Sequence, residues 1–185
     1  MNRIAVQLAE GFEEIEAISI IDVLRRADFD VTTVSITGKP KVTGSHAITV
    51  LTDKVFEDTN YNDFDMIVLP GGIPGAINLK NHSGLQNQII DFHKNGKPLG
   101  AICAAPLVFG NLGILNNETA TCYPGFEDQL KGANVTGNKV EQSGKIVTGK
   151  GAGVAIEFAL KIVEMLKGKE LADELGRKMI VQGLS

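Results

Sequence analysis

The chain of 185 residues holds only two cysteines, Cys103 and Cys122. Two are too few for a disulfide framework, so a reducing, cytosolic setting is expected. Basic charge is not in excess: a net charge of −4 leaves no electrostatic footprint for nucleic acid. No apolar run approaches the length of a membrane span, so no membrane partner is expected. No N-terminal signal peptide is visible, because residues 4–9 are a short run flanked by Glu10, Glu13 and Glu14. Repeats and low-complexity segments are also missing. Apolar residues at 43% and charged residues at 22% match an ordinary globular protein. The length suits one domain over residues 1–185, with a substantial core.

What is present is an alternation of strands and helices. Residues 3–9 are apolar almost throughout, as in a strand buried on both faces. Residues 13–27 read as a helix with an apolar stripe of Ile15, Ile18, Ile21, Val23 and Leu24. Glu13, Glu14 and Glu16 fall in its first turn, where the helix dipole favours negative charge. Further strands are expected at 30–36, 64–69, 99–102 and 118–122. Hairpins are expected at 42–52, turning at Gly44-Ser45, and at 139–148, turning at Gly144. Helices are expected at 85–94, 154–166 and 169–179. Strands alternating with helices indicate an α/β protein with a mostly parallel sheet covered on both sides.

Two stretches carry chemistry. In Leu99-Gly100-Ala101-Ile102-Cys103-Ala104-Ala105-Pro106 a buried strand runs straight into a cysteine and then into an apolar helical segment. A nucleophile at such a turn is exposed on a rigid sheet, and free N–H groups at a helix start favour a thiolate. The same residues also fit an inert, buried cysteine acting as a small hydrophobe. The second stretch is Pro70-Gly71-Gly72-Ile73-Pro74-Gly75-Ala76, directly after a strand. Bare N–H groups there reach the carboxyl edge of the sheet, where open α/β sheets hold ligands. The spacing matches neither a Walker loop nor a dinucleotide fingerprint. It fits a donor pair for an oxyanion, or a plain turn. No metal and no organic cofactor is expected.

Four segments occur in an order that resembles a known family. They are Glu10-Gly11-Phe12-Glu13-Glu14-Ile15-Glu16, Leu69-Pro70-Gly71-Gly72, Ala101-Ile102-Cys103-Ala104-Ala105-Pro106, and Gly151-Ala152-Gly153 followed by Glu157-Phe158-Ala159-Leu160. Together they resemble the ThiJ/PfpI superfamily, in the branch of the parkinsonism-associated protein deglycase. The resemblance covers essentially the whole chain. It implies a flavodoxin-like three-layer sandwich and a homodimer. It implies that Cys103 is the reactive cysteine, that Glu16 meets its sulfur as a protonated carboxyl, and that the N–H groups of Gly72 and Ala104 are oxyanion donors. A carboxyl buried beside a thiolate should have a raised pKa. Arg26 and His46 match positions near a dimer-facing rim of the site. One departure stands out: Tyr123, in Thr121-Cys122-Tyr123-Pro124, occupies the place of a histidine that the family often carries. Tyrosine titrates near pKa ~10 and cannot replace a neutral-pH base, which disfavours a peptidase or amidase. Tyr123 is instead a candidate hydrogen-bond donor to a substrate oxygen.

Three functions follow from these residues. The first is a cofactor-free glyoxalase or deglycase acting on methylglyoxal or glycation adducts through Cys103 and Glu16. The second is a redox sensor or stress chaperone acting through oxidation of Cys103. The third is a binding or structural domain in which Cys103 is inert. Cys122, next to Tyr123 on an alternating strand, is expected to face the packing.

Overall fold

A computed structural model describes residues 2–181. The first half contains β1 (Arg3–Leu8), α1 (Glu14–Arg26), β2 (Asp30–Ser35), β3 (Lys41–Thr43), β4 (Thr49–Leu51), β5 (Lys54–Val55) and β6 (Met66–Leu69). Then come α2 (Gly75–Asn81), α3 (Ser83–Lys94), β7 (Leu99–Ile102), α4 (Pro106–Asn111), β8 (Thr119–Ala120) and β9 (Asn134–Val135). The chain continues through β10 (Val140–Ser143), β11 (Ile146–Gly149), α5 (Ala155–Lys167) and α6 (Lys169–Lys178). Seven strands form one sheet in the order β10-β11-β7-β6-β1-β2-β5. Every pairing in it is parallel except the edge hairpin β10–β11.

The alternation of side chains along each strand builds the three layers. Ala5 and Ala9 at β1, Ile67 and Leu69 of β6, and Leu99 of β7 join one apolar cluster with Leu79, Leu85, Ile89, Phe92 and Phe109 from α2, α3 and α4. Ile4, Val6 and Leu8, with Met66 and Val68, join the other with Ile20, Leu24, Phe158 and Ile162 from α1 and α5. α5 packs against both α1 and α6. This is the three-layer α/β sandwich expected from the sequence. No helix among the described residues is long and apolar enough to cross a membrane.

Two local expectations are corrected. The strand expected at 118–122 is only the two-residue β8, paired with β9. Beyond it the backbone leaves the ladder: Thr121 N–H donates to Thr148 Oγ1 at 3.0 Å and Tyr123 N–H to the Cys103 carbonyl at 2.8 Å. The helix after Cys103 begins only at Pro106 and has six residues. The three residues between strand and helix make a tight turn instead.

The sheet order reverses at β1, which has β2 on one side and β6 on the other. In open α/β sheets a ligand crevice lies outside the carboxyl ends of the strands at such a point. β1, β6 and β7 deliver Glu10–Glu13, Pro70–Gly72 and Cys103 to that one edge.

Candidate active site

Cys103 has φ of 64°, in the left-handed region that non-glycine residues avoid. Holding a residue there costs of order 1–3 kcal/mol. Its N–H donates to the Gly149 carbonyl at 2.8 Å, and its own carbonyl accepts from Tyr123 N–H at 2.8 Å. The strain is therefore held from β11 on one side and from the 121–123 segment on the other. It aims a partly exposed side chain off the edge of an otherwise buried sheet.

Glu16 comes from the first turn of α1 and is fully buried. Its Oε2 accepts from Gly71 N–H at 2.8 Å, while Oε1 is buried with no donor among the described residues. A bare carboxylate oxygen in that position is costly, whereas a carboxyl hydroxyl facing sulfur is not. Gly71 packs between the two groups. A Cβ there would lie 2.6 Å from Cys103 Cβ and 2.8 Å from Glu16 Oε2. Gly72 has φ of 92°, and a Cβ there would lie 2.4 Å from Glu13 N, so this loop is bare because nothing else fits.

The electrostatics couple the two groups. Burial pushes the Glu16 carboxyl up to about 7, against the pull of hydrogen bonds with Cys103 and Gly71. Burial first, then the charge of Glu16, pushes the Cys103 thiol up to about 12. Hydrogen bonds from the N–H groups of Gly72 and Ala104 oppose this rise. The expectation that a helix start would favour a Cys103 thiolate is therefore corrected. α4 starts three residues too late, and desolvation outweighs the two N–H groups. The carboxyl is therefore the first of the pair to ionise, and its charge opposes ionisation of the thiol.

The structure brings Cys103, Glu16 and the N–H groups of Gly72 and Ala104 together. It adds two residues that the sequence did not single out. Gly71 supplies a third N–H, aimed at Glu16, and Glu13 caps α1 by accepting the Glu16 N–H at 2.7 Å. The signal for Gly71 lay in the doubled glycine after β6. Glu13 could not be told apart from its neighbouring glutamates.

The remaining candidates lie around this centre. Tyr123 is 50% exposed, and its ring sits against Gly151, where a Cβ would lie 3.3 Å from Cδ2. Cys122 is buried in the core cluster, although it lies beyond the end of β8. Arg26 pairs with Asp22 at 2.7 Å on α1, ten residues and roughly 15 Å along the helix from Glu16. Within one chain it takes no part in the centre. His46 lies exposed in the β3–β4 turn, with Nδ1 2.9 Å from Glu14 Oε2 and 4.0 Å from Glu13 Oε1. Glu13, Glu14 and His46 bring three ligand-type atoms within 4.8 Å of one another. However, Glu14 already accepts from the N–H groups of His46 and Ile48 and from the Ser45 hydroxyl. That constellation is a clamp on the turn, and its oxygens are spent.

Comparison with known proteins follows this geometry closely. The model of the DJ-1/PfpI family matches residues 2–165. The chain belongs to that family. It is 39% identical over 183 residues to "Protein DJ-1 homolog B" of Arabidopsis thaliana, covering 98% of this chain and 42% of that protein. The chain thus spans less than half the length of that plant relative. It is 35% identical over 168 residues to "Glutathione-independent glyoxalase DJR-1.2" of Caenorhabditis elegans, covering 90% of this chain and 89% of that one. Among solved structures, oxidized DJ-1 of Toxoplasma gondii superposes with a TM-score of 0.94 at 37% identity, covering 98% of this chain and all of that one. The flavodoxin-like sandwich is therefore the DJ-1 fold, and the cysteine edge lies within the matched region.

Proposed function

We propose that this DJ-1/PfpI protein is a cysteine-dependent enzyme of carbonyl stress, a glyoxalase or deglycase acting on methylglyoxal or glycation adducts. The observation that carries the reading is Glu16, a buried carboxyl held near neutrality against Cys103. The name of the nematode relative supports the same chemistry. Glu16, ionised in part near neutral pH, takes the proton from the Cys103 thiol as the sulfur attacks. Sγ adds to the aldehyde carbon, the carbonyl π bond breaks, and the oxygen becomes an alkoxide facing the N–H groups of Gly72 and Ala104. Glu16 protonates that oxygen to give a hemithioacetal. Glu16, now ionised, removes the proton from the same carbon and returns it to the neighbouring carbon. The hydroxyl proton passes from the first oxygen to the second, leaving a thioester of a 2-hydroxy acid. Water hydrolyses the thioester, releasing lactate from methylglyoxal and restoring the thiol. No oxidant or reductant enters. Tyr123 stands beside this centre as a substrate contact.

The test is lactate formation by the wild type, Cys103→Ser, Glu16→Gln and Tyr123→His. Loss of at least 100-fold in both Cys103→Ser and Glu16→Gln is expected for a nucleophile and its proton shuttle. Turnover untouched by either change overturns the reading. One observation favours a second reading, a redox sensor or stress chaperone. The N–H groups at Sγ would hold sulfinate oxygens as well as an alkoxide. A wild type silent toward methylglyoxal but active as Tyr123→His would make that second reading the leading one.

The protein is further proposed to work as a cytoplasmic homodimer. Ile15 (59% exposed), Ile18 (47%), Ile48 (56%) and Leu51 (76%) leave apolar surface on α1 and on the β3–β4 hairpin. His46 and Arg26 lie on those same two elements, where a partner's rim would meet them.

A further inference from the structure

A groove of about 350 Å³ opens between the 123–124 turn and the 150–154 loop; Cys103 is not part of its lining. Both walls are tied to the cysteine by backbone hydrogen bonds. Tyr123 N–H donates to the Cys103 carbonyl, and Cys103 N–H donates to the carbonyl of Gly149, just before the loop. The lining is mainly carbon: the Tyr123 ring, Pro124, Ala152 and Val154. Its one cation, Lys150, is engaged elsewhere, donating from Nζ to the Gly137 carbonyl at 2.8 Å. The Tyr123 ring is half exposed, yet it is positioned by its contact with Gly151. Gly153 is the opposite of a packed glycine. A Cβ there would meet nothing within 4 Å, and no positive φ demands glycine at that position. Its lack of a side chain keeps the groove open.

We infer that this groove binds the apolar substituent of the aldehyde that Cys103 attacks, so that the substrate class is α-oxoaldehydes carrying an aromatic or bulky apolar group. The inference rests on the proposed attack of Cys103 on an aldehyde. A cavity of roughly 150 Å³ already holds benzene, so the groove has room for a phenyl ring with solvent at its mouth. A ring placed there meets the face or edge of Tyr123 in the stacked or tilted geometries that aromatic pairs prefer. The tyrosine at this position supplies a wall to the groove. The methyl group of methylglyoxal would leave most of that wall wet.

The experiment compares phenylglyoxal with methylglyoxal as the ratio of their kcat/KM values, in the wild type, Gly153→Phe and Tyr123→Ala. The first variant fills the groove without backbone strain, and the second removes its wall. Each is expected to lower the phenyl-to-methyl ratio about tenfold or more, within the range that hydrophobic pockets give per added group. Taking the ratio cancels the intrinsic reactivities of the two aldehydes. A second measurement needs no turnover: the rates at which N-phenylmaleimide and N-methylmaleimide alkylate Cys103, read by peptide mapping. The same loss of phenyl preference in both variants is expected. If no aldehyde is turned over but the maleimide preference follows the groove variants, the groove stands and the enzyme reading falls. If turnover occurs and neither ratio moves in either variant, the groove proposal is overturned and the enzyme reading stands. Two variants guard against one that fails to fold.

Discussion

Glu16 titrates where a carboxyl is normally already ionised, and that makes the fold pH-sensitive. Its folded pKa of about 7 lies above the ordinary 4.5, so the folded state binds the proton more tightly than the unfolded state does. The resulting stabilisation is complete below about pH 4.5 and is lost as pH rises through about 7. A shift of that size corresponds to about 3 kcal/mol at most. Glu16→Gln is neutral at every pH. Urea titrations from pH 5 to 8 should show the wild type losing stability relative to Glu16→Gln by a few kcal/mol. A constant difference between the two proteins across that range would rule out a proton on Glu16. Cys103 does not confuse this test, because its raised pKa acts only above the ordinary thiol range of about 9. At this scale Cys103 was legible from its strand-to-helix turn. Glu16 was not legible from the residues alone, and only the family resemblance separated it from Glu13 and Glu14. Three carboxylates at one helix start look alike until the helix is docked.

Docking gives each of the three a different task. Glu13 caps α1, Glu16 faces Cys103, and Glu14 reaches into the β3–β4 turn. Glu14 Oε1 accepts from His46 N–H at 2.7 Å and Ile48 N–H at 3.3 Å, while Oε2 meets the Ser45 hydroxyl at 3.3 Å. Phe12 O and Gly11 N–H add further bonds to the same hairpin, at Ser45 N–H and Thr43 O. The hairpin is thereby fastened to the segment that carries Glu16. Hydrogen bonding to His46 and to backbone N–H groups lowers the Glu14 pKa against desolvation. Its stabilising share is therefore present above the ordinary 4.5 and lost as pH falls through the lower folded value, opposite in sign to that of Glu16. Glu14→Ala should cost about 2 kcal/mol by stranding donors, and should speed amide hydrogen exchange at His46 and Ile48. His46→Ala should do much less, since its side chain is exposed. Equal effects of the two changes on exchange would show that the clamp does not run through Glu14. The hairpin itself was legible from its β-branched residues and its Gly44-Ser45 turn. The failure of residues 121–123 to continue β8 was not, because their N–H groups are drawn off by Thr148 and Cys103, both distant in sequence.

For the molecule as a whole, exposed isoleucines on α1 and on the β3–β4 hairpin should set its assembly. Sedimentation velocity should give a dimer for the wild type and a shift toward monomer for Ile18→Glu, with circular dichroism unchanged. A wild-type monomer at micromolar concentration would remove the homodimer and with it any role for Arg26 and His46 across an interface. By itself the sequence determined the architecture. Apolar runs of strand length, helical stripes and glycine turns alternate so regularly that a parallel sheet with two helical faces is the arrangement that buries them all. It also determined that β7 must end at a cysteine. Only the tertiary structure decided what that cysteine meets. Gly71, Glu16 and Tyr123 lie 32, 87 and 20 positions from Cys103 along the chain. Gly71 and Glu16 meet it because β1, β6 and β7 are parallel neighbours whose carboxyl ends share one edge, and Tyr123 because its N–H donates to the Cys103 carbonyl. The pKa values of the pair follow from the same cause. Desolvation depends on what the fold places over a group, which local sequence does not record.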